Sequence, residues 1–335
     1  MKYYRAICLS TLFPAALATA AEKSTISLSI DNDGIFGVDK HYTSGLFLSY
    51  TSGEVSPYPI FSLLSLSSWS YDPLDKIEFL VGHKMYTPSE IKQQKPAKND
   101  RPYAGFFHTE FNYLSLASHQ AHRFNFTLGT TGKRSMAEDA QNIVHGITGS
   151  DEPRGWAYQI DNKTIVNIGY RLHSELFQQR SLANTDLELS NISEVNLGNF
   201  RSDLSTGVML RWGTDLNANI GSANINTERP FEAGMIADSQ YGWYLFTGIK
   251  VRYRANDMTI EGERSEVKTY TQTNGLNSDY FDVHLKQVQT SAVAGFAWYN
   301  EHFGASLTLA TKSPDYKEAS SSIYSNGSLS LFAFF

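Results

Sequence analysis

Residues 25–31 read T-I-S-L-S-I-D, which sets Ile26, Leu28 and Ile30 on one side of an extended chain and Ser27, Ser29 and Asp31 on the other. Such strict alternation marks a β-strand with different surroundings on its two faces. The same pattern recurs outward from this stretch. Leu46, Leu48 and Tyr50 oppose Thr43, Gly45, Phe47 and Ser49, and Phe107, Thr109, Phe111 and Tyr113 oppose His108, Glu110 and Asn112. Phe124, Phe126 and Leu128 oppose Asn125, Thr127 and Gly129. Trp243, Leu245, Ile249, Val251 and Tyr253 oppose Lys250, Arg252 and Arg254. Charged and amide side chains return on the second face too often for the dry core of a sandwich. A barrel with an apolar outside in lipid and a polar lumen accommodates both faces. Residues 326–335, N-G-S-L-S-L-F-A-F-F, read as a last strand ending on an aromatic, able to close on the first and leave no free edge.

Composition excludes the main alternatives. The 335 residues are 19% charged and 13% aromatic. Mean hydropathy is −0.32. No run beyond the N-terminus approaches the roughly 18 apolar residues of a membrane-spanning helix, and the aromatic content is too high for a disordered chain. A net charge of −6 gives no electrostatic basis for binding nucleic acid. At the N-terminus, Lys2 and Arg5 precede an apolar run from Ala6 to Leu17 and then Ala18-Thr19-Ala20. That order is the plan of a secretory leader over residues 1–20, leaving 21–335 as one barrel domain. The only cysteine, Cys8, lies in this leader. A disulfide framework, a Cys-ligated metal and a thiol nucleophile are therefore excluded from the mature chain.

Strands are expected at 24–31, 43–51, 76–86, 104–116, 121–131, 162–178, 184–198, 203–214, 242–255, 284–299, 302–312 and 326–335. The even number of twelve suits an up-and-down antiparallel transmembrane barrel. A further candidate, 257–268, is polar on both faces and reads as a loop extension. With both ends in the periplasm, the connections 32–42, 87–103, 132–161, 198–199, 256–283 and 313–325 face outside. Two connections on the other side, 52–75 and 215–241, are long for that side, and the apolar stretch P-I-F-S-L-L at 59–64 fits no strand. Residues 135–149 read as a short helix in an outward loop, with Ser135 as N-cap, Glu138 three residues on, and Gly146 and Gly149 as the stop. Gln141 and His145, four apart, share a face of it.

The first three outward connections hold the candidate chemistry. The first carries Asp31-Asn32-Asp33 and Asp39-Lys40-His41-Tyr42-Thr43. The second carries Lys92, Lys95, Lys98 and Asp100-Arg101, and the third Gln141, His145, Asp151 and Glu152. Each has a plain reading: a surface histidine on a loop helix, turn residues before Gly34, and ordinary loop charges. A porin or adhesin needs no such chemistry in its loops, whereas a histidine there can act as a general base toward water and a metal ion can hold a developing negative charge. Oxygen donors without cysteine or paired histidines suit calcium better than zinc. No G-x-S-x-G elbow offers a serine nucleophile. Basic groups in the second loop would suit charge-assisted binding of an anionic group.

The segments I-D-N-D-G-I-F (30–36), H-Y-T-S-G-L-F-L-S-Y (41–50), N-D-R-P-Y-A-G-F-F (99–107), Q-N-I-V-H-G-I-T-G (141–149) and G-W-A-Y-Q (155–159) together resemble the outer-membrane lipid A 3′-O-deacylase (LpxR) family. Any one of them is weak; five in order across three neighbouring loops are specific. The resemblance implies a twelve-stranded barrel and a calcium-dependent esterase that removes the 3′-O-linked acyloxyacyl group of lipid A in the outer leaflet. It implies His145 as the catalytic histidine, with Asn32, Asp33, Thr43 and Gln141 around it. Asn32, Asp33 and, more loosely, Asp151 would serve the metal, and Lys92, Lys95 and Arg101 would face the substrate. The expected partners are lipopolysaccharide and the surrounding lipids, with one chain sufficient. The basic loop, K-Q-Q-K-P-A-K, is sparser in charge than in the densest family examples, and 52–75 has no clear family counterpart. The competing readings are a phospholipase-like acyl hydrolase of broader specificity and a porin or adhesin barrel, with Lys250, Arg252 and Arg254 lining its channel.

Overall fold

The structure, a computed structural model, describes residues 23–33, 41–56, 61–69, 73–148, 151–237 and 239–335. The expected leader, Gly34, Asp39, Lys40, Pro59, Ile60 and Gly149 lie outside the described residues. Twelve strands form a closed barrel in which each pairs with its sequence neighbours and the last pairs with the first. They are β1 (Thr25–Asn32), β2 (His41–Thr51), β3 (Leu74–Thr87), β4 (Ala104–Leu116), β5 (Gln120–Thr131), β6 (Thr164–Arg180), β7 (Asp186–Gly198), β8 (Arg201–Gly213), β9 (Gly242–Asp257), β10 (Val288–Tyr299), β11 (Phe303–Lys312) and β12 (Tyr324–Phe334). Closure runs from Thr25 opposite Phe334 to Asn32 opposite Gly327. A closed sheet leaves no backbone edge to satisfy in hydrocarbon, which is why this geometry can sit in a membrane.

Burial follows the alternation. Ile26, Leu28 and Ile30 are exposed while Thr25, Ser27, Ser29 and Asp31 are buried inside the ring. The same holds on β9, where Leu245, Ile249, Val251 and Tyr253 face out and Lys250 and Arg254 are buried. The alternation breaks at Thr43. The ladder between β2 and β3 shifts register between Tyr42 and Ser44, so Thr43 is an extra residue and leaves the inward row of Gly45 and Phe47 to which alternation assigns it.

Among the described residues, three α-helices lie in the connections: α1 (Ala137–Thr148), α2 (Met258–Glu261) and α3 (Ser265–Thr273). The last two occupy the polar stretch 257–268 and its continuation, a loop extension as the sequence implied. The start and stop of α1 differ from expectation. The Ser135 hydroxyl donates to the Gly132 carbonyl in a preceding turn, and Met136, in a left-handed conformation (φ 56°), separates that turn from the helix. Gly146 lies within the helix, which runs on to Thr148.

The long connection 215–241 turns back into the ring. Asn219, Ser222, Ala223, Ile225, Phe231 and Ala233 along it are almost wholly buried. It meets strands around the circumference. The Arg229 backbone N–H donates to Asp31 on β1 (2.8 Å), and its guanidinium donates to Glu78 on β3 (2.9 Å). Glu228 pairs with Lys84 on β3 (2.9 Å) and with Arg201 on β8 (3.5 Å). Glu232 pairs with Arg171 on β6, and Asn326 on β12 donates to the Thr227 carbonyl (2.7 Å). Burial alone would raise the Glu228 carboxyl, but Lys84, Arg201 and Lys312 hold it well below the usual carboxylate range.

A second set of buried charges closes the end of the lumen nearest α2. Asp315 accepts from Arg254 (3.0 Å), Lys312 (2.9 Å) and Arg101 (3.4 Å). Burial opposes its charge, yet these three cations keep Asp315 far below the ordinary aspartate value. Lys250 and Arg252, two of the three residues that would line a channel, are instead engaged by Asn226 of the inserted segment. The third, Arg254, is held by Asp257 and Asp315.

Candidate functional site

The wall formed by β1 to β4 carries the site on its outer face. On α1 the residues turned inward are Ala137, Gln141 and His145, one helical turn apart, while Ile143 and Val144 on the helix and Met136 just before it are 65%, 46% and 56% exposed. This reverses the amphipathicity of a helix on a soluble protein, whose apolar stripe faces the core. It is the arrangement expected where lipid lies outside and a polar group is kept within. The helix seats on outward positions of β3 and β4. Ala137 and the indole of Trp156 pack with Met85 and Tyr103, and His83 bonds the Ser135 carbonyl (2.9 Å). Gly105 permits this approach, because a Cβ there would lie 2.1 Å from the Ser135 hydroxyl and 2.4 Å from the Ala137 Cβ.

Hydrogen bonds around His145 fix its chemistry. Nδ1 lies 2.5 Å from the Asp151 backbone carbonyl, and Nε2 lies 3.4 Å from the Gln141 amide nitrogen. The Trp156 indole N–H donates to Gln141 Oε1 at 2.7 Å. An indole N–H can only donate, so the amide oxygen is the end turned to Trp156 and the NH2 end is turned to the histidine. A carbonyl can only accept, so Nδ1 carries the ring proton and the Nε2 lone pair is the basic site. Trp156 is itself fixed by the Tyr103 ring, 4.8 Å away. The Tyr103 hydroxyl in turn donates to the Ile91 carbonyl (2.9 Å), which also receives the Arg154 N–H (2.8 Å).

Asn32 and Thr43 form a second group on the same face, with Asp33 following at the end of β1. Asn32 pairs across the ladder with Ser44 and so follows the outward row of Ile26, Leu28 and Ile30. Its side chain donates to the Thr43 carbonyl (3.4 Å), as does the Asp33 backbone N–H (3.4 Å). Asp33 is 2% exposed. The bulge turns the Thr43 hydroxyl to that of Thr87, 2.6 Å away. Bulges of this kind re-aim a side chain next to functional sites. What joins the rim group to α1 is the end of β3, where Thr87 meets Thr43 and Met85 meets Ala137 and Trp156.

The remaining candidates are distributed differently. The Asp151 side chain pairs with Lys92 at 2.8 Å, and both are more than 60% exposed. Lys95 is exposed on the same loop, and Lys98 lies 3.9 Å over the Tyr280 ring. Arg101 is wholly buried, bound to Thr259 (3.1 Å) and Asp315 and stacked 4.6 Å over Tyr86. It stands in the lumen closure, away from any lipid. Asp31 turns inward too, accepting from the Tyr42 hydroxyl (2.7 Å). Among the described residues no group of three or more His, Cys, Asp or Glu side chains converges as a metal site. The donors at the rim are all oxygens: the Asp33 carboxylate, the Asn32 amide and backbone carbonyls. That set fits calcium, which accepts carbonyls and water alongside few carboxylates, and does not fit zinc. Trp156 and Thr87 were given no role by sequence. Trp156 stood within a quoted motif, whereas Thr87 becomes visible only once the bulge is known.

Fold and site together define a class: an outer-membrane β-barrel with a filled lumen and a histidine–amide pair on its lipid-facing wall. The chain belongs to the LpxR family of outer-membrane proteins, whose sequence profile, "Outer membrane protein LpxR", matches residues 5–335. Among solved structures, LpxR from Salmonella typhimurium shares the fold, with a TM-score of 0.75 at 19% identity over 93% of this chain and 100% of that one. The β domain of the Bordetella autotransporter BrkA is a remoter barrel (TM-score 0.44, 8% identity, 94% and 98% covered). So is the KdgM porin (0.37, 6%, 93% and 99%). No curated protein matches the sequence.

Proposed function

We propose that this chain is a lipid A deacylase that hydrolyses the 3′-O-linked acyloxyacyl ester in the outer leaflet of the outer membrane. The observation that carries the reading is the placement of Gln141, His145, Asn32 and Thr43 on the outer face of the wall, under a helix with its apolar side turned outward. A substrate reaching them comes from the lipid. The filled lumen speaks against a porin, which needs a continuous open path. Family membership supports the substrate class.

In this mechanism His145 Nε2 takes a proton from water as the water oxygen attacks the ester carbonyl carbon. The bond from that carbon to the sugar oxygen then breaks. His145 returns the proton to the departing 3′-oxygen, and the acyl chain leaves as a carboxylic acid, which then loses its proton to bulk water. The Asp151 carbonyl holds Nδ1–H and so stabilises the imidazolium between these steps. Gln141 and Trp156 hold the ring in the productive tautomer. Asp33 and Asn32, with backbone carbonyls, would hold calcium, which when bound supplies a positive charge for the developing oxyanion. Asp151 contributes its carbonyl to the histidine and its carboxylate to Lys92, so the metal falls to the rim pair. Thr43, fixed by Thr87, orders that pair through its carbonyl. Lys92 and Lys95 are the basic groups left to meet lipid A phosphate.

A broader acyl hydrolase gains support from one observation. Of three basic residues expected at the substrate, Arg101 is buried and Lys92 is paired, which weakens the dependence on phosphate. Mass spectrometry of membrane lipids from cells expressing the chain separates the readings. Loss of one acyloxyacyl unit from lipid A, with phospholipids intact, is the expected result. Replacement of His145 by Ala should abolish it, a fall of about 10²–10⁴-fold, while leaving a heat-modifiable barrel. Unchanged lipid A in both samples would overturn the proposal.

A further inference from the structure

The connection between β2 and β3, at the end of the barrel opposite the site, holds the apolar stretch that fits no strand. Its residues 61–69 lie against the outside of the wall. The Phe61 ring stacks on Tyr113 (5.6 Å, 24°) and meets Phe111 (6.1 Å), both on the outward row of β4. Phe111 in turn meets Phe79, an exposed outward residue of β3 (5.2 Å). The Leu66 backbone N–H donates to Ser115 Oγ (2.9 Å), on the same outward row, and the Leu66 side chain is fully buried. Tyr113 is only 2% exposed beneath this cover. Two large apolar side chains of the segment point away from the protein: Leu63 at 80% and Trp69 at 69% exposure.

The surroundings of these side chains can be read from the rest of the ring. At this end of the other strands the outward positions carry paired aromatics: Trp212 with Trp243 (5.4 Å), Trp298 with Phe303 (5.6 Å) and Tyr50 with Phe335 (6.3 Å). Such a girdle marks the level at which hydrocarbon gives way to headgroups. Residues 61–69 continue that girdle across β3 and β4, where the strands themselves present Phe111 and Tyr113 to the segment. Tryptophan and leucine left open at this depth have one natural solvent, the boundary between acyl chains and headgroups.

We propose that residues 61–69 form an interfacial foot, a lipid-binding surface that seats Leu63 and Trp69 among phospholipids of the leaflet opposite the site. A periplasmic protein that covered the same two side chains is the rival occupant. The test uses residues 21–335, which hold no cysteine, so that single cysteines can be introduced at will. Leu63→Cys, Phe303→Cys and Asn184→Cys are spin-labelled and reconstituted in vesicles of phosphatidylethanolamine and phosphatidylglycerol, and collision with oxygen and with an aqueous nickel chelate is measured. The label at 63 should match the girdle position 303, with high oxygen and low nickel collision, and differ from the exposed turn position 184. Nickel access at 63 equal to that at 184 would overturn the proposal. Nickel access in vesicles that is lost only in native outer membranes would also overturn it, in favour of a protein partner. The variant Leu63→Ser/Trp69→Ser, with Phe61 and Leu66 retained, should remain a heat-modifiable barrel. Its label at Ser67→Cys should move toward the aqueous signal; an unmoved label would show that the two side chains do not set the depth.

Discussion

The walls β1–β4 and β8–β11 of the same barrel obey different rules. On β8 to β11 the outward row is bare. Leu204, Val208, Leu210, Leu245, Ile249, Val251, Phe296, Leu307 and Leu309 are all exposed. On β1 to β4 that row is interrupted by Asn32, Thr43 and Thr87 at one end, capped by α1 above them, and covered by residues 61–69 at the other end. Lipid selects the outward residues of the first wall, and alternation holds there up to the register shift at its rim, where Ser202 and Asp203 face Asn256 and Arg254. The second wall also has to hold a histidine, a bulge and a foot. Its departures from alternation fall at the candidate site and under residues 61–69.

Four measurements would break or sharpen this contrast. The largest effect is expected at the clamp that ties the two walls, where Asp315 joins Arg101 of the β3–β4 connection to Arg254 and Lys312 of β9 and β11. Asp315→Ala takes the paired carboxylate from buried Arg101 and Lys312, leaves Arg254 with Asp257 alone, and should cost about 3–5 kcal/mol in denaturant unfolding; a loss under about 1 kcal/mol would show that water already screens the network. Next, a charge on the bare wall, Ile249→Arg, should cost about 2–4 kcal/mol at mid-membrane depth. Tolerance of that arginine in folded, bilayer-inserted barrel would remove lipid as the selecting force there.

On the worked wall, Trp156→Phe keeps the ring but frees the Gln141 amide to turn. The loss of one buried hydrogen bond, about 1.4 kcal/mol, should lower kcat about ten-fold with KM little changed. An equal fall in stability with unaltered kcat would make Trp156 purely structural. The smallest effect concerns pH. Glu228 and Asp315 both lie below their ordinary values, so the stabilisation they bring is complete above the ordinary carboxylate range and declines only as pH falls beneath it. Melting between pH 7 and about 5 should therefore be flat with respect to this pair, with a decline setting in below about pH 4. A decline that began near neutrality would point to groups other than these.

The contrast also explains what could be read in advance. All twelve strands were legible, because each is selected locally by two unlike environments. The shared face of Gln141 and His145 was legible from their spacing alone. The inserted segment was not. Its stretch A-N-I-G-S-A-N-I-N has no periodicity, and its burial depends on partners such as Asp31, Glu78 and Asn326, far away in the chain. Arg101 sat in a run of loop charges, and nothing local distinguishes it from Lys98; only Asp315, 214 residues later, draws it inside. Thr43 was assigned by parity to the inward row, and the single extra residue that reverses it leaves no mark in composition. Local physics was readable, and pairing across the ring was not.

The inserted segment has a consequence for the envelope as a whole. An outer membrane protects the cell only while small solutes cross it slowly, and every open barrel raises that permeability. Here residues 219–233 are seated across the lumen and bonded to strands on all sides of it. Under the proposed function, raising the number of copies in the membrane would add capacity for lipid chemistry while each lumen stays crossed by this segment, so expression could follow the demand on the lipid and not the tolerance of the barrier.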